Sequence, residues 1–146
     1  MSKLNRQNYC KEIHILHEYF RLNTEVILKK QHLNYGAYII LNCIFDDQEI
    51  TQYKISKVSG FSIQRTHQLV NLLEERELIT KVNVSKYKKH LYLTKKGEQV
   101  VEQTEQVLMK QFEEVFGDHK ALTSELIGAI KAFNKLANSL PVDKEP

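Results

Sequence analysis

KVNVSKYKKHLYLTKK, residues 81–96, holds Lys81, Lys86, Lys88, Lys89, Lys95 and Lys96 and no Asp or Glu. The chain as a whole is nearly balanced, with 21 Lys+Arg against 18 Asp+Glu, so positive charge is concentrated here. The stretch also alternates as a β-hairpin does. Val82 and Val84 go one way, and Leu91 and Leu93 face a common side on the return. A cationic hairpin suits the tracking of a phosphate backbone, an electrostatic and sequence-independent contact. Protecting a strand edge needs only one or two lysines. Tyr87, at the tip between Lys86 and Lys88, is placed to pack on a sugar or to cover the hairpin end.

Two short helices are expected just upstream. Thr51 is a plausible N-cap, with Ile50 and Ile55 as a hydrophobic staple, Val58 facing inward and Ser59-Gly60 as the stop. Ser62 caps the next helix, over residues 63–76, with an inward stripe of Ile63, Thr66, Leu69, Val70 and Leu73. Its other face carries Gln64, His67, Gln68 and Asn71, and a hairpin follows over residues 78–94. Helix, turn, helix and cationic hairpin together predict a winged helix-turn-helix.

The flanks read as long helices. Over about residues 6–32, Tyr9, Ile13, Leu16, Phe20, Thr24 and Ile27 recur at spacings of three and four. Asn34 caps a nearly all-apolar helix over residues 35–45, expected to be the buried centre, and Asp46–Glu49 is a polar turn. Lys95 or Lys96 starts a fifth helix with Val101, Thr104, Leu108, Phe112 and Val115 as its stripe and Gly117 as its stop. The last helix has Thr123 as cap, a Leu122/Ile127 staple, a stripe of Leu126, Ile130, Phe133, Ala137 and Leu140, and Pro141 as its end. The fold class is mostly α with a small β-hairpin wing, in the order ααααββαα. A single domain over residues 1–146 is expected, with 50–96 as a DNA-binding region and 6–33 and 97–140 as dimerisation helices. Helices this long cannot bury their stripes against one small core, so a homodimer is expected.

Composition is ordinary for a globular chain, with 42% hydrophobic and 27% charged residues. No apolar run is long enough to span a bilayer, and MSKLNRQNYCKEIH has neither the apolar core nor the cleavage site of a signal peptide. The expected location is the cytoplasm, with no membrane partner. With 5 Gly and 2 Pro, long uninterrupted helices are expected.

A reading helix needs hydrogen-bonding side chains near its N-terminus, the end that enters the major groove. Gln64, Arg65, His67 and Gln68 fill the first two turns after Ser62. Gln pairs bidentately with adenine and Arg with guanine. A capping box would place Glu or Gln at the third position after Ser62, where Arg65 stands. A cation there costs about 0.3–1 kcal/mol, which a phosphate or base would offset. The expected partner is double-stranded DNA, contacted by Ser62, Gln64, Arg65, His67 and Gln68, and by Lys81, Lys86, Lys88 and Lys89 of the wing.

The residues ITQYKISKVSGFSIQRTHQLVNLLEERELI (50–79) and LYLTKKGEQVV (91–101) resemble the MarR family of winged-helix transcription regulators, including its staphylococcal SarA-type branch. The matching features are Leu73-Glu74, Leu78-Ile79 and Leu93-Thr94-Lys95-Lys96-Gly97. PadR-type regulators share the wing ending, and the long first helix favours MarR. The resemblance implies a dimeric repressor-like regulator reading a pseudo-palindromic operator. Two positions depart from the family pattern. Glu77 replaces the usual Gly, so the chain is expected to turn without a free left-handed residue. Ser85 and Lys86 stand where an Asp-x-Arg pair is usual, so phosphate tracking replaces minor-groove reading by a braced Arg. A plasmid or phage replication or partition protein, or a protein-interaction module, is the alternative reading of the same fold.

Some members of the family sense oxidants through a lone Cys in the first helix, and Cys10 occupies a similar place. For a sensor, Tyr9, Tyr19 and Tyr35 would supply hydrogen bonds to its thiolate; the reading preferred over this is a small, unreactive packing residue. Cys43 reads as packing, and two cysteines without a CxxC spacing make no disulfide framework. A small-molecule or oxidant effector is thus a candidate partner. His14 and His17, with Glu18 beside them, lack a third metal ligand, and His32, His90 and His119 have no ligand spacing, so no metal is expected. No Gly-rich phosphate loop, GxSxG or HExxH is present, and Glu98, Glu102 and Glu105 read as one solvated helix face. No catalytic residue or cofactor is expected, and the protein reads as a non-enzyme.

Overall fold

A computed structural model describes residues 8–139. The elements are α1 (Tyr9–Lys29), α2 (Tyr35–Asp46), α3 (Gln52–Ser59), α4 (Ile63–Glu75), β1 (Ile79–Asn83), β2 (Lys89–Leu93), α5 (Lys95–Phe116), a 3-10 turn over Gly117–His119, and α6 (Lys120–Ser139). This is the expected winged-helix order, and Arg6, Leu140 and Pro141 lie outside the described residues. The helix starts are set by their caps. Asn34 Oδ1 accepts the N–H of Ala37 at 2.8 Å, Thr51 Oγ1 that of Lys54 at 3.2 Å, Ser62 Oγ that of Arg65 at 3.0 Å and Thr94 Oγ1 that of Gly97 at 3.0 Å.

The core lies where α2 passes beneath α3, α4 and the hairpin. Ile40, Leu41, Ile44, Ile55, Val70 and Leu73 are fully buried. Ile50 is buried with Ile55, as a staple requires. The hairpin is antiparallel, with Ile79 opposite Leu93, Lys81 opposite Leu91 and Val82 opposite His90. Ile79, Leu91 and Leu93 are buried, while Val82 and Val84 are exposed. Period-two alternation thus gives the hairpin one core face and one solvent face.

Val58 and Ile63, expected to face inward, are exposed, and so is Val115 of the expected α5 stripe. Ile63 is the first residue of α4, before the helix reaches the core, and the stripe begins at Thr66. Val58 lies in the last turn of α3, where the chain leaves the core toward Gly60, which takes φ +83°. Val115 lies on α5 beyond the core.

Glu77 corrects the reading of the turn after α4. It does take the left-handed conformation, with φ +60°. Its N–H donates to Glu74 O at 3.0 Å and that of Leu78 to Leu73 O at 3.0 Å, the paired bonds of a Schellman cap. A glutamate therefore holds a glycine's place. The glycine of the Leu-Thr-x-x-Gly ending has a different cause: a Cβ on Gly97 would lie 2.1 Å from the carbonyl oxygen of Leu78. Only glycine lets the first turn of α5 pass this close to the hairpin's entry.

The far end of the chain also differs from expectation. Thr123 is no cap: α6 starts at Lys120, and the Thr123 hydroxyl donates back to His119 O at 2.9 Å inside the helix. Leu122 and Ile127 are exposed and form no staple. Gly117 follows α5 in ordinary helical geometry, with φ −53°, so α5 passes into α6 through one tight turn.

Candidate nucleic-acid interface

The first two turns of α4 present Gln64, Arg65, His67 and Gln68 to solvent. Ser62 spends its hydroxyl on the cap, and its carbonyl accepts the Thr66 hydroxyl at 2.8 Å. Arg65 lies over the start of α2: a Cβ on Gly36 would meet Arg65 Nη2 at 3.5 Å and Leu69 Cδ1 at 3.0 Å. Gly36 thus lets α4 settle on α2. Among the described residues no carboxylate pairs with Arg65. Its charge remains available at a helix N-terminus that disfavours cations.

The hairpin brings three lysines beside this helix. Lys86, Lys88 and Lys89 are exposed and pair with no carboxylate among the described residues. Val84 N–H donates to Lys88 O at 2.9 Å, which closes the tip. Tyr87 is 89% exposed and covers nothing. Lys86 Nζ stands 5.4 Å from the centre of the Tyr87 ring, a cation–π contact. A cleft of about 610 Å³ runs between α3, α4 and the wing, lined by Gln52, Tyr53, His67, Lys86, Tyr87 and Lys88 among others. Its floor is cationic on the wing side and polar on the helix side.

Lys81 stands apart from the other wing lysines. Its side chain is only 17% exposed, and its ammonium reaches Asn71 Oδ1 at 3.0 Å and Glu74 Oε1 at 3.4 Å. Asn71 Nδ2 lies 3.2 Å from His67 Nε2, and His67 Nδ1 lies 3.1 Å from Gln52 Nε2. His67 is therefore held between α3 and α4 by both ring nitrogens. The sequence reading missed this network. Gln52, His67, Asn71 and Lys81 come from three elements, and no periodicity joins them.

The head is tied to α5 by Tyr38, which is nearly buried. Its hydroxyl donates to Glu105 Oε2 at 3.0 Å, and burial above all pushes the phenol up to about 12. Gln31 Nε2 reaches Thr104 Oγ1 at 3.4 Å beside it, and Arg76 donates to Gln31 O at 3.3 Å. Glu105 is thus more than part of a solvated face. It also borders a second cavity, of about 570 Å³, between α1, α5 and α6. Tyr19, Phe20, Phe112 and Phe116 form its aromatic wall, with Phe20 and Phe112 stacked at 5.8 Å.

Cys10 is exposed in the first turn of α1, and none of the hydrogen bonds among the described residues joins it to Tyr9, Tyr19 or Tyr35. Tyr35 packs edge-on against His17 at 5.8 Å instead. Cys43 is half-buried, and burial pushes its thiol up to about 11, with Asp46 adding to the effect. Among the described residues no three His, Cys, Asp or Glu side chains gather as a metal site would. No described helix is long and apolar enough to cross a membrane.

A scan against protein-family models found no match for this sequence, and neither did a search of curated proteins. Solved structures do match it. A Staphylococcus aureus MarR in complex with salicylate and kanamycin superposes with a TM-score of 0.77 at 24% identity, over 92% of this chain and 93% of that one. A MarR transcriptional regulator from Methanosarcina mazei Go1 gives 0.75 at 14% identity, over 90% of this chain and 99% of that one. Streptococcus pneumoniae FabT in complex with DNA gives 0.72 at 16% identity, over 92% and 99%. The chain has the winged-helix fold of the MarR-type regulators, as its sequence predicts.

Proposed function

We propose that the protein is a sequence-specific, double-stranded DNA-binding transcription regulator and not an enzyme. One observation carries this reading: an exposed Gln64-Arg65-x-x-Gln68 helix face lies beside three hairpin lysines that pair with no carboxylate among the described residues. In this reading Gln64, Arg65 and Gln68 contact base edges in the major groove, and Lys86, Lys88 and Lys89 contact phosphate. A solved structure of similar fold contains DNA, which supports the class of partner.

The protein acts as a homodimer in this proposal. The DNA-binding region is residues 50–96, and the chain ends provide the dimer contacts. The support is the apolar side chains that α1 and α6 leave in water, including Ile15, Leu22 and Val26 along one face of α1 and Phe133 and Leu136 on α6. Two such heads would read half-sites about one helical turn apart, near 34 Å. The aromatic cavity at the base of α5 suits a small effector with an apolar body, and a similar fold carries salicylate.

Selection of bound fragments from genomic DNA tests the reading, with inverted half-sites as the expected result. Changing Arg65→Ala should then relax specificity at one base position and cost about 1–3 kcal/mol. A variant that binds and discriminates like the parent refutes the assignment of α4 as reader.

A further inference from the structure

The proposed contacts with bases and phosphates leave one polar network of the head without a role. We propose that Lys81 and His67 are positioning residues and touch no DNA: through Asn71 they lock the wing to the reading helix and hold His67 in one tautomer. The consequence for binding rests on the DNA-binding reading above, whereas the network itself does not.

The Lys81 ammonium orients the network. An ammonium has three donors and no acceptor. It lies 3.0 Å from Asn71 Oδ1, so that oxygen is fixed toward the wing and the Asn71 nitrogen faces the other way. That nitrogen lies 3.2 Å from His67 Nε2 and can only donate, so Nε2 carries no proton. A neutral imidazole keeps one proton, which then sits on Nδ1. Gln52 Nε2 is placed 3.1 Å from Nδ1, and two N–H groups cannot share that contact. A half-turn of the Gln52 amide brings its oxygen to the ring and sends its NH2 outward. The opposite tautomer would require Asn71 to turn its NH2 against the ammonium.

One buried-side charge thus orders Asn71, His67 and Gln52 across β1, α4 and α3. The strut fixes the angle of the hairpin against α4, and so decides whether base and phosphate contacts form together. Lys81 is also poorly placed to serve phosphate, being mostly covered and already paired with Glu74 at 3.4 Å. Losing the strut should weaken binding to every sequence while leaving the number of phosphate contacts unchanged.

Two measurements test this. The imidazole nitrogens of the 15N-labelled free protein are observed at about pH 8, where histidine is ordinarily neutral. The signals missing from His67→Gln belong to His67 and should have the Nδ1–H pattern. Asn71→Asp offers an acceptor to both Lys81 and Nε2, so it should reverse that pattern to Nε2–H. Second, binding of a random-sequence duplex is followed against salt. Lys81→Met should weaken it roughly tenfold, the worth of one charge-assisted hydrogen bond, with the parent slope retained. Lys88→Met should lower the slope by about 0.9, and Lys81→Arg should recover most of the affinity. An Nε2–H pattern in the parent, no reversal in Asn71→Asp, or a slope loss in Lys81→Met equal to that in Lys88→Met would overturn the proposal. If the parent binds no duplex, the DNA-binding reading fails, and the tautomer pair still decides the strut.

Discussion

The head and the helical arms use the same kinds of apolar residue to opposite ends. In the head, Ile40, Leu41, Ile44 and Leu73 are fully buried. In the arms, Ile15, Leu22, Val26, Phe133 and Leu136 are more than half exposed. Helical periodicity is equally good in both, so periodicity reports that a face is apolar and not what covers it. The head closes because four short elements meet around α2. The arms run past that core, and among the described residues α6 follows the 3-10 turn and faces α1 and α5 across the aromatic cavity. At about 25 cal/mol per Å² of apolar surface, such faces gain from burial, which the proposed dimer would supply.

The sharpest way to break this contrast is to truncate one residue in each region. Leu41→Ala should cost about 2–5 kcal/mol in urea denaturation, by lost burial and a cavity. That loss should not depend on protein concentration. Replacing both Ile130 and Phe133 with Asp should leave the head folded by circular dichroism and shift light scattering to the 17.1 kDa chain mass. The parent should scatter as twice that mass, and a parent that is already monomeric removes the dimer from the proposal. Equal destabilisation of the head by both changes would mean that the arms belong to its core.

The joint between the regions gives a smaller effect. Tyr38→Phe removes the hydroxyl that meets Glu105 across α2 and α5, and should cost about 1 kcal/mol near neutral pH. The pH dependence has a definite sign. Folding holds the phenol up to about 12, against an ordinary value near 10. Above about pH 10 the unfolded chain releases this proton while the folded chain keeps it, so stability falls as pH rises from 10 toward 12. Tyr38→Phe should lose less stability than the parent over that window. Parallel alkaline curves would show that Tyr38 is not the group responsible.

Much of the head was legible in the sequence because local rules govern it. Asn34, Thr51 and Ser62 cap where capping chemistry predicts, and Leu91 and Leu93 face the core as alternation predicts. What escaped depends on tertiary approach. Nothing near Lys81 in the chain announces Asn71 ten residues earlier, and Gly97 reads as a motif letter until Leu78 O is found against it. The start of α6 escaped for a local reason. Thr123 is a good cap residue, but the helix had already begun through the turn at Gly117, and its hydroxyl bonded backward instead.

The two turns that contradict residue preference yield the finest comparison. In the head, Glu77 sits left-handed at φ +60° where glycine is at ease. In the arm, Gly117 sits at φ −53° and ψ −36°, helical values that any residue adopts, and a Cβ there would meet nothing within 4 Å. Each residue would suit the other's place. Glu77→Gly relieves a left-handed conformation that costs an L-residue about 1–2 kcal/mol, but adds freedom to the unfolded chain. The expected net gain is roughly 0.5 kcal/mol, and Glu77→Ala should bring none of it. Gly117→Ala removes unfolded-chain freedom and favours the helical joint, for a gain of about 0.4–1 kcal/mol. The two gains differ in where they appear. Hydrogen exchange should slow at the amides of Glu77 and Leu78 in the first variant, and around residues 113–121 in the second. A gain from Gly117→Ala spread evenly over α2 and α4 would mean that arm and head unfold as one unit. That outcome would end the contrast between them.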